Sequence, residues 1–348
     1  MTVGREMQPL DMEKLEAWCK DRLPGFAGPL SAEKFPHGQS NPTYRLKTPN
    51  ADYVLRRKPP GQLLKSAHAV EREYRVMAAL GPTDVPVPKT HALCEDESVI
   101  GSVFFVMGFV PGRHFEDPRL PEVDNACRAA IYDDINRVLA ALHRVDVEAV
   151  GLGDFGRPGN YFARQVKRWT EQYRASETET LADMDALIDW LPGATPPDDG
   201  RVAIVHGDYR IDNMIFAPNA PRIDALIDWE LSTLGHPLAD LAHQCMQWRL
   251  PVGPVGRGLG NVDRPALGIP TEEDYLARYA ARAGMTSLDD WPFALAFAFF
   301  RFAAILQGVK KRALDGNASN PEFGLALAEM IPLLAREGAA IAGAGKAG

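Results

Sequence analysis

The sequence predicts an α+β chain of two lobes, a small N-terminal lobe built on a sheet and a larger, mainly helical C-terminal lobe. Three observations carry this. Strand-like segments dominate the residues before 120, and helical periodicities dominate those after it. Pro111-Gly112 ends the last apolar run of the front part, which puts residues 1–110 in one lobe and 111–348 in the other. Within the helical part, residues 203–216 and 226–230 read as two apolar strands whose ends carry carboxylates.

The elements follow in order. Leu10, Leu15, Trp18 and Leu23 recur at helical spacing, so residues 10–24 form an amphipathic helix stopped by Pro24-Gly25. Residues 35–46 and 52–57 pair as a hairpin around a turn at Pro49-Asn50. Residues 66–80 repeat apolar side chains with helical period up to Gly81-Pro82, and Glu71 and Glu73 ride on that helix. An extended Val-Pro-Val-Pro segment at 85–88 leads to a buried strand over 103–110. Helical patterns then cover 123–145, 161–190, 237–248, 272–283, 291–314 and 321–337. The glycine-rich stretch 253–260 follows a helix and is a mobile loop, and the Ala/Gly tail 338–348 is expected to fray.

Composition narrows the class. With 348 residues, 46% of them hydrophobic, the chain can bury a substantial core. A formal net charge of -8 argues against general nucleic-acid binding. Residues 1–75 hold 13 Lys/Arg against 9 Asp/Glu, a net +4 that suits a polyphosphate ligand and leaves -12 for the rest. Cys19, Cys94, Cys127 and Cys245 are scattered without a C-x-x-C pair, which fits a reducing compartment and indicates no zinc site. No leader is visible, and the apolar run at 293–300 is too short to cross a bilayer, so the expectation is a soluble cytoplasmic protein.

The chemistry concentrates in His206-Gly-Asp208-x4-Asn213 and Ile227-Asp228-Trp-Glu230. Asp208 at the start of a loop is placed to orient and deprotonate an acceptor hydroxyl, while Asn213 and Asp228 offer the neutral and charged oxygens that Mg²⁺ prefers. This spacing points to phosphoryl transfer from ATP. Gly38, Gln39, Ser40 and Asn41 form a tip of small and amide-bearing residues whose N–H groups can approach phosphate, though without G-x-G-x-x-G spacing. The position of Arg210, two residues past the base, resembles the one where a kinase catalytic loop often carries a cation near the transferring group, whose charge it is expected to stabilise, while His206 and Asp240 are expected to brace the loop. A rival reading gathers His206, Asp208, Asp228, His236, Asp240 and His243 into a metal hydrolase; the absence of H-x-H or H-E-x-x-H spacing weighs against it.

These motifs resemble the aminoglycoside phosphotransferase family of kinase-like enzymes. With Gly38-Gln-Ser-Asn-Pro-Thr-Tyr44, Tyr53-Val-Leu-Arg56, Val70-Glu-Arg-Glu-Tyr-Arg75 and Phe302-Ala-Ala-Ile-Leu-Gln-Gly-Val309, they are similar to the branch found with acyl-CoA dehydrogenases of the type 10 and 11 class. The resemblance spans about residues 30–337 and implies a protein-kinase-like fold. It implies that Arg56 stands where many members carry a phosphate-touching Lys, with Glu73 as its helix partner and Arg57 or Lys58 as alternatives. It further implies that the Gly108 carbonyl and Val110 amide hold adenine above Ile215 and Ile227. Trp229-Glu230 replaces the Phe-Gly of protein kinases and no Ala-Pro-Glu segment follows, so a small-molecule kinase without an activation-loop switch is expected. A hydroxyacyl-CoA or hydroxy acid is the acceptor the resemblance suggests; an aminoglycoside, a choline-like molecule, a sugar, or a nucleotide-binding module without turnover are the alternatives. Arg301, Gln307 and Arg312 are candidates for reading an anionic acceptor, weighed against a structural helix face.

Overall fold

The computed structural model of the chain describes residues 9–36, 41–59, 69–253, 258–318 and 320–344. In chain order its elements are α1 (Met12–Arg22), β1 (Ser31–Lys34), β2 (Thr43–Lys47), β3 (Asp52–Arg57), α2 (Val70–Leu80), β4 (Thr90–Cys94) and β5 (Phe104–Gly108). There follow α3 (Asn125–His143), α4 (Tyr161–Ser176), α5 (Ala182–Ala194), β6 (Ala203–Val205), β7 (Met214–Phe216), β8 (Ile223–Leu226) and β9 (Thr233–Gly235). The remainder is helical, as α6 (Leu238–Arg249), α7 (Glu272–Ala283), α8 (Trp291–Leu314), α9 (Pro321–Ala328) and α10 (Ile331–Ala344). These elements form two compact units. One gathers Met1–His114, Val150–Leu152 and Asn213–Ser232; the other holds Phe115–Ala149, Gly153–Asp212 and Thr233–Gly348. Residues 213–232 thus pack with the first unit, although they come long after the expected boundary between 110 and 111.

The first unit is an antiparallel sheet of order β1-β2-β3-β5-β4 with a separate β7-β8 ribbon. Strand period two puts Tyr53, Leu55 and Arg57 on one face of β3 and Val54 and Arg56 on the other. The Tyr53 face is covered by α1, whose Leu15, Cys19 and Leu23 join Tyr44, Leu46, Leu55, Phe104 and Val106 in one apolar cluster. Asp11 caps α1, its side chain accepting from the Lys14 amide. On the opposite face lies α2, with Tyr74 against Phe105 at 6.0 Å between ring centres. Two strands were not anticipated. β1 (Ser-Ala-Glu-Lys) is an exposed edge strand with no apolar alternation, and β4 carries a register shift between Thr90 and Ala92 that blurs its pattern.

The second unit packs helices around α8, which touches α4, α5, α6, α9 and α10. By length and composition α8 is apolar enough to cross a bilayer, contrary to the estimate from residues 293–300 alone, but 67% of its most apolar window is buried in the protein, as in a core helix. The expected single helix over 161–190 is two, α4 and α5. Gln307 of α8 stabilises the break, its Nε2 donating to the Ser176 carbonyl at 2.7 Å and to Thr178 Oγ1 at 3.0 Å. The span 321–337 also divides, because Pro332 has no N–H to continue α9 and suits the first turn of α10. The expected fraying is corrected for residues 338–344, which complete α10. Gly338 lets that helix close on α5 and α8: a Cβ there would stand 3.0 Å from Leu187 Cδ1 and 3.1 Å from Phe299 Cβ. Residues 345–348, 254–257 of the glycine-rich loop, and 66–68 at the expected start of α2 lie outside the described residues.

Candidate active site

The loop carrying Asp208 belongs to the helical unit. β6 leads into it and pairs with β9 through Ala203↔Gly235 and Val205↔Thr233. Only glycine fits at 235, where a Cβ would meet the Tyr161 ring at 2.6 Å. Gly207 takes φ +85°, a left-handed turn that other residues resist, and it reverses the chain between His206 and Asp208. Asp240 of α6 holds that turn, its carboxylate accepting the amides of His206 at 2.6 Å and Gly207 at 2.8 Å. It is fully buried, and burial would raise its pKa, but His143 at 3.4 Å and these amides outweigh that and keep it low. Tyr209 OH donates to the Ile135 carbonyl at 2.7 Å, and Arg301 Nη2 to the Gly207 carbonyl at 3.2 Å. Arg301 therefore holds the loop, Gln307 holds a helix end, and Arg312 is exposed.

Each oxygen of Asp208 has a partner. Oδ1 lies 3.2 Å from His243 Nε2, and Oδ2 accepts from Arg210 Nε at 3.1 Å. Burial pushes this carboxyl up, but the His243 hydrogen bond and the Arg210 and His206 charges win, holding it far below the usual carboxylate range. Arg210 is shared with Asp212 at 3.2 Å. Beside it opens a pocket lined by Glu116, Tyr132, Arg210, Asp212, Gln247 and Trp248, among others.

Asn213 and Asp228 lie in the sheet unit at the ends of the β7-β8 ribbon, where Met214 pairs with Leu226 and the Ile227 amide donates to the Asn213 carbonyl at 3.0 Å. The ribbon is tied to the residues after β5. Arg113 and Phe216 exchange backbone hydrogen bonds of 2.8 and 2.9 Å, and a Cβ on Gly112 would stand 2.4 Å from the Phe216 carbonyl. Asp228 adopts φ +66°, ψ +61°, a strained conformation for aspartate, while buried Trp229 anchors the turn by donating to the Leu226 carbonyl at 3.0 Å.

Asp228 meets Arg56 there. Arg56 Nη2 donates to Asp228 Oδ1 at 2.6 Å, its Nε lies 2.8 Å from Glu73 Oε2 as an ion pair with poor hydrogen-bond angle, and Glu230 is 3.8 Å away. Asn41, expected at the phosphate-facing tip, is buried and donates Nδ2 to Glu73 Oε1 at 2.7 Å. Burial raises the Glu73 carboxyl, Arg56 opposes that, and Asp228 and Glu230 reinforce it, leaving the group at about 7. Of the three candidate cations, Arg56 alone reaches this group. Arg57 points to the α1 face and is buried, with Nε and Nη1 lacking hydrogen-bond partners among the described residues, and Lys58 pairs with Glu71 at 2.8 Å. Asp228 and Glu230 together exceed the single positive charge of Arg56, and Asp228 with Asn213 would be the charged and neutral oxygen donors for a divalent cation there.

Gly108 uses its amide on the Lys89 carbonyl at 2.8 Å, and Val110, Ile215 and Ile227 are half-buried. Gly38, Gln39 and Ser40 lie outside the described residues. The histidine and acidic residues of the hydrolase reading form no group of three that could hold a metal among the described residues. His243 and Gln247 were not singled out for phosphotransfer. The signal was present in Asp240, His243 and Gln247, polar residues at helical spacing along one helix.

The model of the phosphotransferase enzyme family matches residues 31–297, and the chain belongs to that family. A crystal structure from Ralstonia eutropha JMP134, with a provisional aminoglycoside phosphotransferase assignment, is 52% identical, with a TM-score of 0.89 over 96% of this chain and 98% of the other. Acyl-CoA dehydrogenase family member 10 of Mus musculus is 47% identical over 91% of this chain and 30% of its own length. The chain spans less than half the length of the curated relatives it matches. A thermostable mutant aminoglycoside phosphotransferase, in ternary complex with AMP-PNP and hygromycin B, shares the fold at 15% identity and a TM-score of 0.61 over 94% of this chain and 98% of the other. The fold is therefore protein-kinase-like.

Proposed function

We propose that the chain uses ATP and Mg²⁺ to phosphorylate a hydroxyl group of a small molecule. The observation that carries this is the Asp208 carboxylate, fixed through both oxygens beside a pocket and kept ionised. A carboxylate offers about four acceptor sites, so an acceptor O–H could donate to Asp208 alongside the bonds from His243 and Arg210. As the acceptor oxygen bonds to the γ-phosphorus, the bond to the bridging oxygen breaks, ADP leaves with that electron pair, and the hydroxyl proton passes to Asp208. A base this acidic takes the proton late, which suits a transition state with little nucleophile charge. Arg210 stabilises the transferring group.

Asn213 and Asp228 would hold the metal in this reading, and a bound Mg²⁺ would supply neutralisation of phosphate charge. Arg56, kept in place by Glu73, turns its guanidinium to the phosphates. Gly108 and Val110 receive the adenine over Ile215 and Ile227. The relatives named as acyl-CoA dehydrogenase family members favour a hydroxyacyl-CoA or hydroxy acid acceptor. A cytoplasmic setting belongs to the same proposal.

ATP consumption across a panel of hydroxyacyl-CoA, hydroxy acid, sugar, choline and aminoglycoside acceptors tests it. Asp208→Ala is expected to lower turnover by roughly 10²- to 10⁴-fold. A variant as active as wild type overturns the enzyme reading in favour of a binding module. Asp228→Asn is expected to weaken binding of MgATP with little change in thermal stability, and unchanged affinity with full activity removes Asp228 from the metal site.

A further inference from the structure

The polar stripe on α6 runs from the loop turn to the pocket. Asp240 grips the backbone of His206 and Gly207, and three residues on, His243 places Nε2 3.2 Å from Asp208 Oδ1. Four residues further, the side-chain amide of Gln247 lies 2.9 Å from the same His243 Nε2 and also lines the pocket beside Arg210 and Asp212. The His243 side chain is 6% exposed, so these partners take the place of water.

Proton bookkeeping decides the roles. An ionised carboxylate only accepts, so His243 Nε2 carries the hydrogen and donates it to Asp208. The nitrogen placed at that distance is Gln247 Nε2, and a nitrogen that donates to Asp208 cannot accept from an amide N–H, so this assignment requires the Gln247 amide turned over, with Oε1 toward the same hydrogen. The ring is further enclosed by Phe302 of α8 at 6.2 Å, edge-on. Charged and titratable groups on the surrounding elements are His206, Asp208 and Arg210 of the loop and Arg301 of α8, which holds the Gly207 carbonyl.

We propose that His243, backed by Gln247, is a positioning residue for phosphotransfer: it fixes the Asp208 carboxylate and links it to whatever fills the adjoining pocket. This rests on the reading of Asp208 as the base. His243 does not touch the reacting atoms; it acts through Asp208. The extreme acidity of Asp208 agrees, because its largest opposing contribution to burial is the His243 hydrogen bond.

The test compares His243→Ala, His243→Gln and His243→Asn with wild type and Asp208→Ala, using hydrolysis of MgATP by water as the probe, over a range of pH. Glutamine can place an N–H near the position of Nε2 and asparagine is too short, so only a positioning role separates them. His243→Ala should lower kcat by about 10- to 100-fold with KM for MgATP within about threefold, and should move the acidic limb of the rate profile upward. His243→Gln should recover most of kcat and the wild-type limb, whereas His243→Asn should not. Equal losses in the Gln and Asn variants, tracking a fall in thermal midpoint, overturn the proposal. So does an unchanged kcat and limb in His243→Ala while Asp208→Ala is inactive. If Asp208→Ala is itself fully active, the underlying assignment of the base fails instead. Should His243→Ala not fold, the Gln and Asn pair decides alone. Should wild type not hydrolyse MgATP, the carbon-13 carboxyl signal of Asp208, assigned by its loss in Asp208→Asn, decides. It should titrate at higher pH in His243→Asn than in His243→Gln, and equal titration overturns the proposal.

Discussion

Arg56 and Arg57 are neighbours in sequence with opposite fates, and strand geometry separates them. Arg56 faces Glu73 and Asp228, whereas Arg57 is buried with two nitrogens lacking hydrogen-bond partners among the described residues. An unsatisfied buried donor is costly, so Arg57→Met, similar in length and apolar, should raise stability by about 1–3 kcal/mol in urea unfolding. A destabilised variant contradicts this account of Arg57. Arg56 has the reverse role, since its removal leaves Glu73 buried without its cation. Glu73 holds its proton more tightly folded than unfolded, so its contribution to stability is full below its ordinary 4.5 and is lost as pH rises through about 7. Arg56→Met should therefore cost about 3 kcal/mol at pH 8 and less at pH 6, where Glu73 takes up a proton. Equal losses at the two pH values would show that Glu73 is not the group left stranded.

At the scale of elements, α6 organises the loop that bears Asp208, and Asp240 is its anchor. An asparagine there has one acceptor oxygen for two backbone amides and turns its NH₂ toward one of them. Asp240→Asn is thus expected to cost roughly 3 kcal/mol. Because the folded pKa of Asp240 is depressed, its stabilising effect is present above its ordinary 3.8 and lost as pH falls through the lower folded value. The variant should consequently lose less stability than wild type on acidification below about pH 4, as read by denaturant midpoints. Parallel acid profiles would remove Asp240 from that role. Elements with apolar periodicity were legible beforehand, α7 and α8 at their full bounds. Edge strand β1 was not, because its burial comes from pairing and not from its own side chains. The breaks after Ser176 and Ala328 were also hidden: one depends on Gln307, distant in sequence, and the other on a proline that begins the next helix.

For the molecule as a whole, the candidate catalytic and metal-binding residues could be proposed from the sequence because two short motifs hold most of them, and the kinase-like fold was expected from the same stretch. The supporting set was less readable. Asn41 on Glu73 and His243 on Asp208 join residues far apart in the chain, and no local pattern announces which buried polar side chain will meet which. The net charge of -8, concentrated after residue 75, agrees with a protein that attracts its nucleotide by local cations and not by a general basic surface. The central claim is that Asp208 serves phosphoryl transfer and not nucleotide binding. The direct measurement is transfer of labelled γ-phosphoryl to an acceptor found by the panel, or to water, in wild type and Asp208→Asn at saturating MgATP. The account predicts ATP affinity within about threefold and a transfer rate lower by roughly 10²- to 10⁴-fold. Equal transfer rates in the two proteins would contradict it.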